Sequence, residues 1–373
     1  MRDLWGELAM SSLRCNRRLL PVAAFLALVA SVLAIGNVAQ AGTSACQAKN
    51  LTTGGVGEAD LQRVINAAQK DDVVQVAGNC VGFFVIRRDL TVVGKSTAAF
   101  PHATLDGNDV TQVLLVRLKS TDVTLIDLTI TGGVGNRGGG ILVKHGSLAL
   151  SGSTSVTANA ARQQPTAGGG GIFNNRGLVT LNDSSRVMDN YARHNGGGIF
   201  NLSGVVVLNN TSTISGNESR HVAGTGGGGI FTSTGEVTMN DSSSVAGNSA
   251  HFLGGGITGG AITLNDESSV TGNIAQEGGG IYLRGGSAAL NGSSSVTDNS
   301  ATVYGGGIRG FRFNPVTLRD TAAVTGNTAQ TGGGIYTTGS VEVCDNTGTN
   351  PWTGMISPNN PDDPPTPLPI TCS

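Results

Sequence analysis

The sequence predicts an all-β fold, a single-stranded right-handed parallel β-helix with a short N-terminal capping helix and disulfide-stapled ends. Three observations predict it. Glycine is abundant, 58 of 373 residues, but clustered at intervals rather than placed at every third position, which excludes a collagen helix. An isoleucine follows each glycine run: Ile141, Ile172, Ile199, Ile230, Ile257, Ile281, Ile308 and Ile335, with successive spacings of 31, 27, 31, 27, 24, 27 and 27. Behind each of the first seven isoleucines stands a Leu or Met, nine residues on in five of the seven rungs, then a β-branched residue and an asparagine at constant steps of six and three, the signature of a solenoid.

The first 41 residues read as a secretory signal. Arg14, Arg17 and Arg18 precede an apolar run from Leu19 to Ile35, and Ala39-Gln40-Ala41 is a small-residue cleavage site with Ala41 as its last residue. No second long apolar segment follows, so the mature chain is expected to lack a membrane span. The expected location is secreted or at the cell surface.

Residues 58–69 read as helical, with Leu61, Val64, Ile65 and Ala68 on one apolar face. A short helix there would cover the open end of the core. Strand-like stretches follow at Val73–Val76, Phe83–Ile86, Leu90–Val93, Val113–Val116 and Val123–Ile130. These make irregular early rungs over residues 70–133, inside a β-helix expected to span 42–344.

The regular rungs occupy 138–344. A second column reads Leu150, Leu181, Leu208, Met239, Leu264, Leu290 and Leu318. A third lies six residues further in every rung: Val156, Val187, Ile214, Val245, Val270, Val296 and Val324. Three residues later comes asparagine each time: Asn159, Asn190, Asn217, Asn248, Asn273, Asn299 and Asn327. Such spacing gives three short extended pieces per rung, exemplified by Gly-Ile-Phe, Val-Thr-Leu and Arg-Val-Met. A three-residue strand is too short to stand alone. Coiling stacks each piece on its counterpart, roughly 4.8 Å away, and the Ile, Leu and Val columns close a continuous core. Right-handedness is taken from the general chirality of parallel crossovers. The Asn column reads as structural, because a side-chain amide both donates and accepts. The glycine triplets suit positive φ and close backbone approach at a corner.

Residues 345–373 hold seven of the 11 prolines and read as a C-terminal cap that blunts the last edge. Two rungs carry four extra residues, near 160–168 and 218–226. Both insertions leave the same corner, where solenoids often bind.

Four cysteines lie outside the signal, Cys46, Cys80, Cys344 and Cys372, all near the ends of the mature chain. Three pairings are formally open. Terminal placement in an exported chain favours the local ones, Cys46–Cys80 and Cys344–Cys372. No Cys-x-x-Cys zinc spacing occurs. Without the first 41 residues, 19 basic and 23 acidic residues remain, a net charge of −4. That balance argues against a nucleic-acid surface and against attraction to anionic membranes.

The Gly-Gly-Gly-Ile runs and turns such as Ser269-Val-Thr-Gly-Asn273 resemble the repeats of polymorphic outer membrane proteins. More broadly they resemble right-handed β-helix proteins of the pectin-lyase-like superfamily, over roughly 55–344. Asp60-Leu-Gln-Arg-Val-Ile-Asn-Ala-Ala68 and Asp127-Leu-Thr-Ile-Thr-Gly-Gly133 look like that superfamily's opening segments. The resemblance implies the fold, export, and adhesion or surface display, with an extracellular glycan or a host or cell-surface protein as partner. The given sequence departs from the adhesin family's pattern, since neither a C-terminal membrane barrel nor a Leu-Pro-x-Thr-Gly sorting signal is expected from its residues. The polygalacturonase motifs are not reproduced. The Asp-Asp pairs, Asp71-Asp72 and Asp362-Asp363, lie outside the repeats, the nearest match to Gly-His-Gly is Lys144-His145-Gly146, and Arg-Ile-Lys is absent.

Two columns are candidate sites. Two residues past the second column stand Asp183, Asn210, Asp241, Asp266 and Asp320. Asp241 and Asp266 fall on neighbouring rungs beside Glu267. They could act as an acid/base pair or hold Ca2+, or serve as Asx residues opening a turn. The other column follows each isoleucine: Leu142, Phe173, Phe200, Phe231, Thr258, Tyr282, Arg309 and Tyr336. If the isoleucines point inward, Phe173, Phe200, Phe231 and Tyr282 point outward, either as an exposed ligand-binding stripe or as a ladder covered by the long loops. The functional expectation is a non-catalytic, exported scaffold for adhesion or glycan and partner binding, without a required cofactor. The alternative is a polysaccharide lyase or glycoside hydrolase working through Asp241 and Asp266.

Overall fold

The computed structural model describes residues 46–344, apart from 56, 58, 59, 99, 100, 118–120, 163–167 and 221–225. The first 41 residues, expected to be a secretory signal, the proline-rich segment 345–373 with Cys372 and its expected bridge to Cys344, and parts of both long insertions lie outside the described residues.

The chain coils into a parallel β-solenoid of about 9 turns. Its walls are two 10-stranded sheets and one 12-stranded sheet, joined by a narrow 7-stranded sheet. Like residues are vertical neighbours: Ile172 pairs with Ile199 and Ile199 with Ile230 in one wall. Leu181 pairs with Leu208 and Leu208 with Met239 in the second. Val187 pairs with Ile214 and Ile214 with Val245 in the third. All of these side chains are fully buried in one continuous core. Alternation along each strand puts the columns inside and their neighbours outside.

The fourth sheet is not anticipated by the three-piece reading. Its strands, such as Ala160–Ala161, Tyr191–Ala192 and Glu218–Ser219, start at the residue after each column asparagine and are two residues long in the middle rungs. Two residues carry no visible alternation. They hold only because every rung repeats them in register, Ala161 on Ala192 on Ser219.

The first rungs also contain more strand than expected. Asn79–Val81 and Ala103–Asp106 begin the third wall. The stretch Val123–Ile130 is two strands, Asp122–Ile126 and Leu128–Thr131, broken where Asp127 takes φ 54°.

The cap is a short helix, Leu61–Ala67, with Leu61, Val64 and Ile65 buried. Asp60 caps it by accepting from the backbone N–H of Arg63 at 3.1 Å. Gln62 closes the first strand of the Ile wall: its Oε1 accepts from Val85 N at 2.7 Å and its Nε2 donates to Val85 O at 3.1 Å. One amide thereby satisfies an edge that would otherwise be open to pairing. Strand Gln47–Asn50 runs antiparallel to Asp72–Ala77 and covers the edge of the 12-stranded sheet. The Cys46–Cys80 disulfide staples this end. Cys344 ends the last described strand, Val341–Cys344. No helix among the described residues is long and apolar enough to cross a membrane.

Candidate functional site

Four polar columns run along the solenoid, and their geometry decides what the predicted residues can do. The asparagine column is a closed hydrogen-bond ladder. Asn190 Nδ2 donates to Val156 O at 2.9 Å and to Asn217 Oδ1 at 3.0 Å. The same pattern recurs through Asn217, Asn248, Asn273 and Asn299. All seven asparagines are buried. From Asn190 to Asn299 each Oδ1 accepts two bonds and each Nδ2 donates at least two, all within the protein, which is what burial of an amide requires.

A second amide ladder, Asn174 to Asn201 to Thr232, is buried on the inner side of the Ile wall, at the C-terminal ends of its strands where the chain turns toward the second wall. Asn174 Nδ2 donates to Asn201 Oδ1 at 2.9 Å, and Asn201 Nδ2 to Thr232 Oγ1 at 3.2 Å. A third joins Asn182, Asn209, Asn240, Asn265 and Asn291 at 2.8–2.9 Å per step. Its residues each follow the second column directly, a regularity of spacing that was available in the sequence.

The acidic column behaves as a run of turn caps. Asp183, Asn210, Asp241, Asp266 and Asp320 all adopt φ between 55° and 58°, a conformation asparagine and aspartate tolerate better than most residues. Each side chain reaches back one rung to a backbone N–H. Asp241 Oδ2 accepts from Asn210 N at 2.7 Å, and Asp266 Oδ2 accepts from Asp241 N at 3.0 Å. Asp183 does the same for Gly152 N and Asp320 for Gly292 N. Asp241 and Asp266 are therefore brought to adjacent rungs as expected, exposed, and already engaged. Glu267 accepts from Ser242 Oγ at 3.2 Å. Among the described residues no cluster of three or more His, Cys, Asp or Glu side chains is placed to hold a metal.

The aromatic column projects outside the Ile wall but does not lie open. Phe173, Phe200 and Phe231 are 2%, 8% and 3% exposed. Their rings form a ladder with centroids 4.8 and 5.0 Å apart in edge-on geometry, packed against Leu142 and Leu202. The Arg137 guanidinium lies 5.5 Å from the Phe173 ring. Gly168 lies against Phe200 so closely that a Cβ would sit 2.2 Å from the ring. Of the two arrangements open to the sequence, the structure shows the covered ladder. Thr258 interrupts the column before Tyr282. Tyr282 is also buried, and desolvation followed by the nearby Glu277 carboxylate raises its phenol above the ordinary range.

Two exposed features were not singled out by sequence reasoning. The first is a tip following strand Ile308–Gly310. Phe313 is 84% exposed and Phe311 is 43% exposed. The Arg312 guanidinium lies 5.2 Å from the Phe311 ring. With Arg284 and Asn314 these residues line an open pocket of about 440 Å³. Asn314 anchors the tip, donating from Nδ2 to Gly286 O at 2.7 Å and accepting at its carbonyl from Thr337 at 3.0 Å. The signal was a spacing of ten instead of nine between Ile308 and Leu318. The second feature is an arginine column, Arg162, Arg193 and Arg220, three residues past successive column asparagines.

Compared with known proteins, the chain matches no protein-family model, no curated protein and no solved structure.

Proposed function

We propose that this protein is an exported, non-catalytic β-solenoid scaffold that mediates adhesion through glycan or partner-protein contacts. The observation that carries the reading is the tip at Phe311–Arg312–Phe313. Two accessible aromatic rings flanked by Arg284 and Arg312 around an open pocket are a contact surface for a sugar face or a partner side chain. The rest of the solenoid exposes large apolar side chains mostly one at a time, so the tip stands apart from ordinary surface.

Two further points support the reading. The Cys46–Cys80 disulfide suits an oxidising, extracellular compartment. The carboxylates of Asp241 and Asp266 hold backbone N–H groups of the preceding rungs, a role that explains them without catalysis. The repeat pattern makes surface-displayed β-helix proteins, including those of the pectin-lyase-like superfamily, the nearest model for its biology.

The test is binding of the purified protein to a glycan array and to intact cells, with F311A/F313A as the variant. Loss of binding in the variant supports the reading. Undiminished binding, or release of unsaturated or reducing sugar ends by the native protein that D241N abolishes, contradicts it.

A further inference from the structure

Arg162, Arg193 and Arg220 occupy one column on three consecutive rungs. Arg193 N donates to Ala161 O at 2.9 Å and Arg220 N to Ala192 O at 3.1 Å. They are thus successive steps of the narrow sheet's ladder, roughly 4.8 Å apart along the axis. All three side chains are exposed. Together with Tyr191 they line an open pocket of about 510 Å³. Arg220 is paired with Glu218 and lies 5.5 Å from the Tyr191 ring. Arg162 and Arg193 form no ion pair among the described residues. The exposed His251 takes the next place in the column, its N–H donating to Ser219 O at 2.9 Å.

Like charges stacked on adjacent strands repel. Such a column is unfavourable in the free protein and favourable once an anion lies along it. Without these three arginines the chain holds 20 basic and 25 acidic residues, a net charge of −5, so the column is a local concentration of positive charge on an acidic protein.

We infer that this column binds a segment of sulfated glycan. A sulfate ester offers three terminal oxygens, enough to accept from the guanidinium forks of two neighbouring rungs at once. A carboxylate's two oxygens lie in one plane, the geometry that a single arginine fork matches. The Tyr191 ring, half-buried beside the column, provides a flat face against which a sugar ring packs. Three charged steps suit a few sugar units. An extended nucleic acid would have to cross the acidic remainder of the surface. The site is separate from the Phe311–Phe313 tip and stands whether or not that tip binds anything.

The experiment is calorimetric titration of the full exported chain with size-matched dextran sulfate, carboxymethyl dextran and unmodified dextran, at low and physiological salt. The variants are R193Q, R162Q/R193Q/R220Q and F311A/F313A. All the altered side chains are exposed, and circular dichroism verifies that each variant folds. The expected result is binding of dextran sulfate in preference to both other polymers, at least tenfold weaker in R193Q and lost in the triple variant. F311A/F313A should bind dextran sulfate as the native chain does. The inference is overturned if the native chain fails to bind dextran sulfate, if carboxymethyl dextran binds equally tightly, or if the triple variant binds as the native protein does.

Discussion

Asn190 and Asn217 are joined twice: the backbone N–H and the side-chain amide of Asn190 both donate to Oδ1 of Asn217, each at 3.0 Å. One side-chain oxygen thus fixes both the position and the orientation of the residue a rung away. Repeated through the column, this contact sets rung spacing at the corner where the third wall ends and the narrow sheet begins.

Replacing Asn217 with leucine should therefore be costly. The change strips partners from Asn190 and from the carbonyl of Val187. Leaving buried polar groups unpaired costs about 1–3 kcal/mol each. The expected loss is about 3–5 kcal/mol, read as a lower urea midpoint for unfolding. A variant as stable as the native chain would remove the ladder from the account.

The buried serines predict the opposite sign. Ser185, Ser212, Ser243, Ser268 and Ser294 form an inward column whose hydroxyls have no hydrogen-bond partner among the described residues. The last rung has Ala322 at the equivalent place, equally buried. Ser212→Ala should be neutral or stabilising by up to about 1 kcal/mol, since the hydroxyl's desolvation is removed. Thermal denaturation measures it, and a clear loss of stability would show that these hydroxyls are bonded.

Phe200 sits between two rings and is the centre of the outer aromatic ladder. Truncation to alanine should destabilise the protein by about 3–5 kcal/mol, as for other buried aromatic residues. Glycan binding by the folded fraction should be unaltered. Intact stability with lost binding would mean that the ladder opens to ligands.

Asp241 separates its two readings by substitution. Asparagine retains both the left-handed conformation and the capping oxygen, whereas alanine loses the cap and strains the turn. D241N should lie within about 0.5 kcal/mol of the native protein and D241A about 1–3 kcal/mol below it. Equal losses in the two variants would contradict the capping role.

Acid should weaken the N-terminal end. Asp72 is held below the ordinary carboxylate range, first by the backbone N–H of Gln69 at 2.7 Å and then by the Asn50 amide at 2.6 Å. Asp89 is lowered in the same direction by the backbone N–H of Asp122 and by Lys70. A lowered folded-state pKa contributes stability that is fully present above the unfolded value, about 3.9, and is lost as pH falls through the folded value. The stability gap between native protein and D72N should be widest at neutral pH and shrink below about pH 4. A gap that does not change with pH would refute the assignment.

The large-scale fold was legible because the core columns recur at fixed spacing. Repetition substitutes for strand length, so three-residue pieces carried a signal that no single piece would. What escaped was short or reciprocal. The two-residue strands Tyr191–Ala192 and Glu218–Ser219 have no period of their own. The antiparallel strand Gln47–Asn50 is polar and pairs across a helix. Tertiary packing decided the aromatic column: alternation correctly turned Phe200 away from the core, and the close backbone of Gly168 covered it. Register decided the arginine column, since Arg162, Arg193 and Arg220 become neighbours only once Ala161, Ala192 and Ser219 are aligned.

The central claim is that like positions lie directly over one another, and engineered cross-links test it most directly. Arg186 and Thr213 are paired on adjacent rungs and face outward. Cysteines at these two positions should oxidise to an intrachain disulfide, since adjacent strands bring Cα atoms to about 4.8 Å, within the range a disulfide spans. Cysteines at Arg186 and Ser215, two residues out of register, should not. Cross-linking of the second pair in preference to the first, measured by mass spectrometry of the digested protein, would contradict the stacked solenoid on which every proposed site depends.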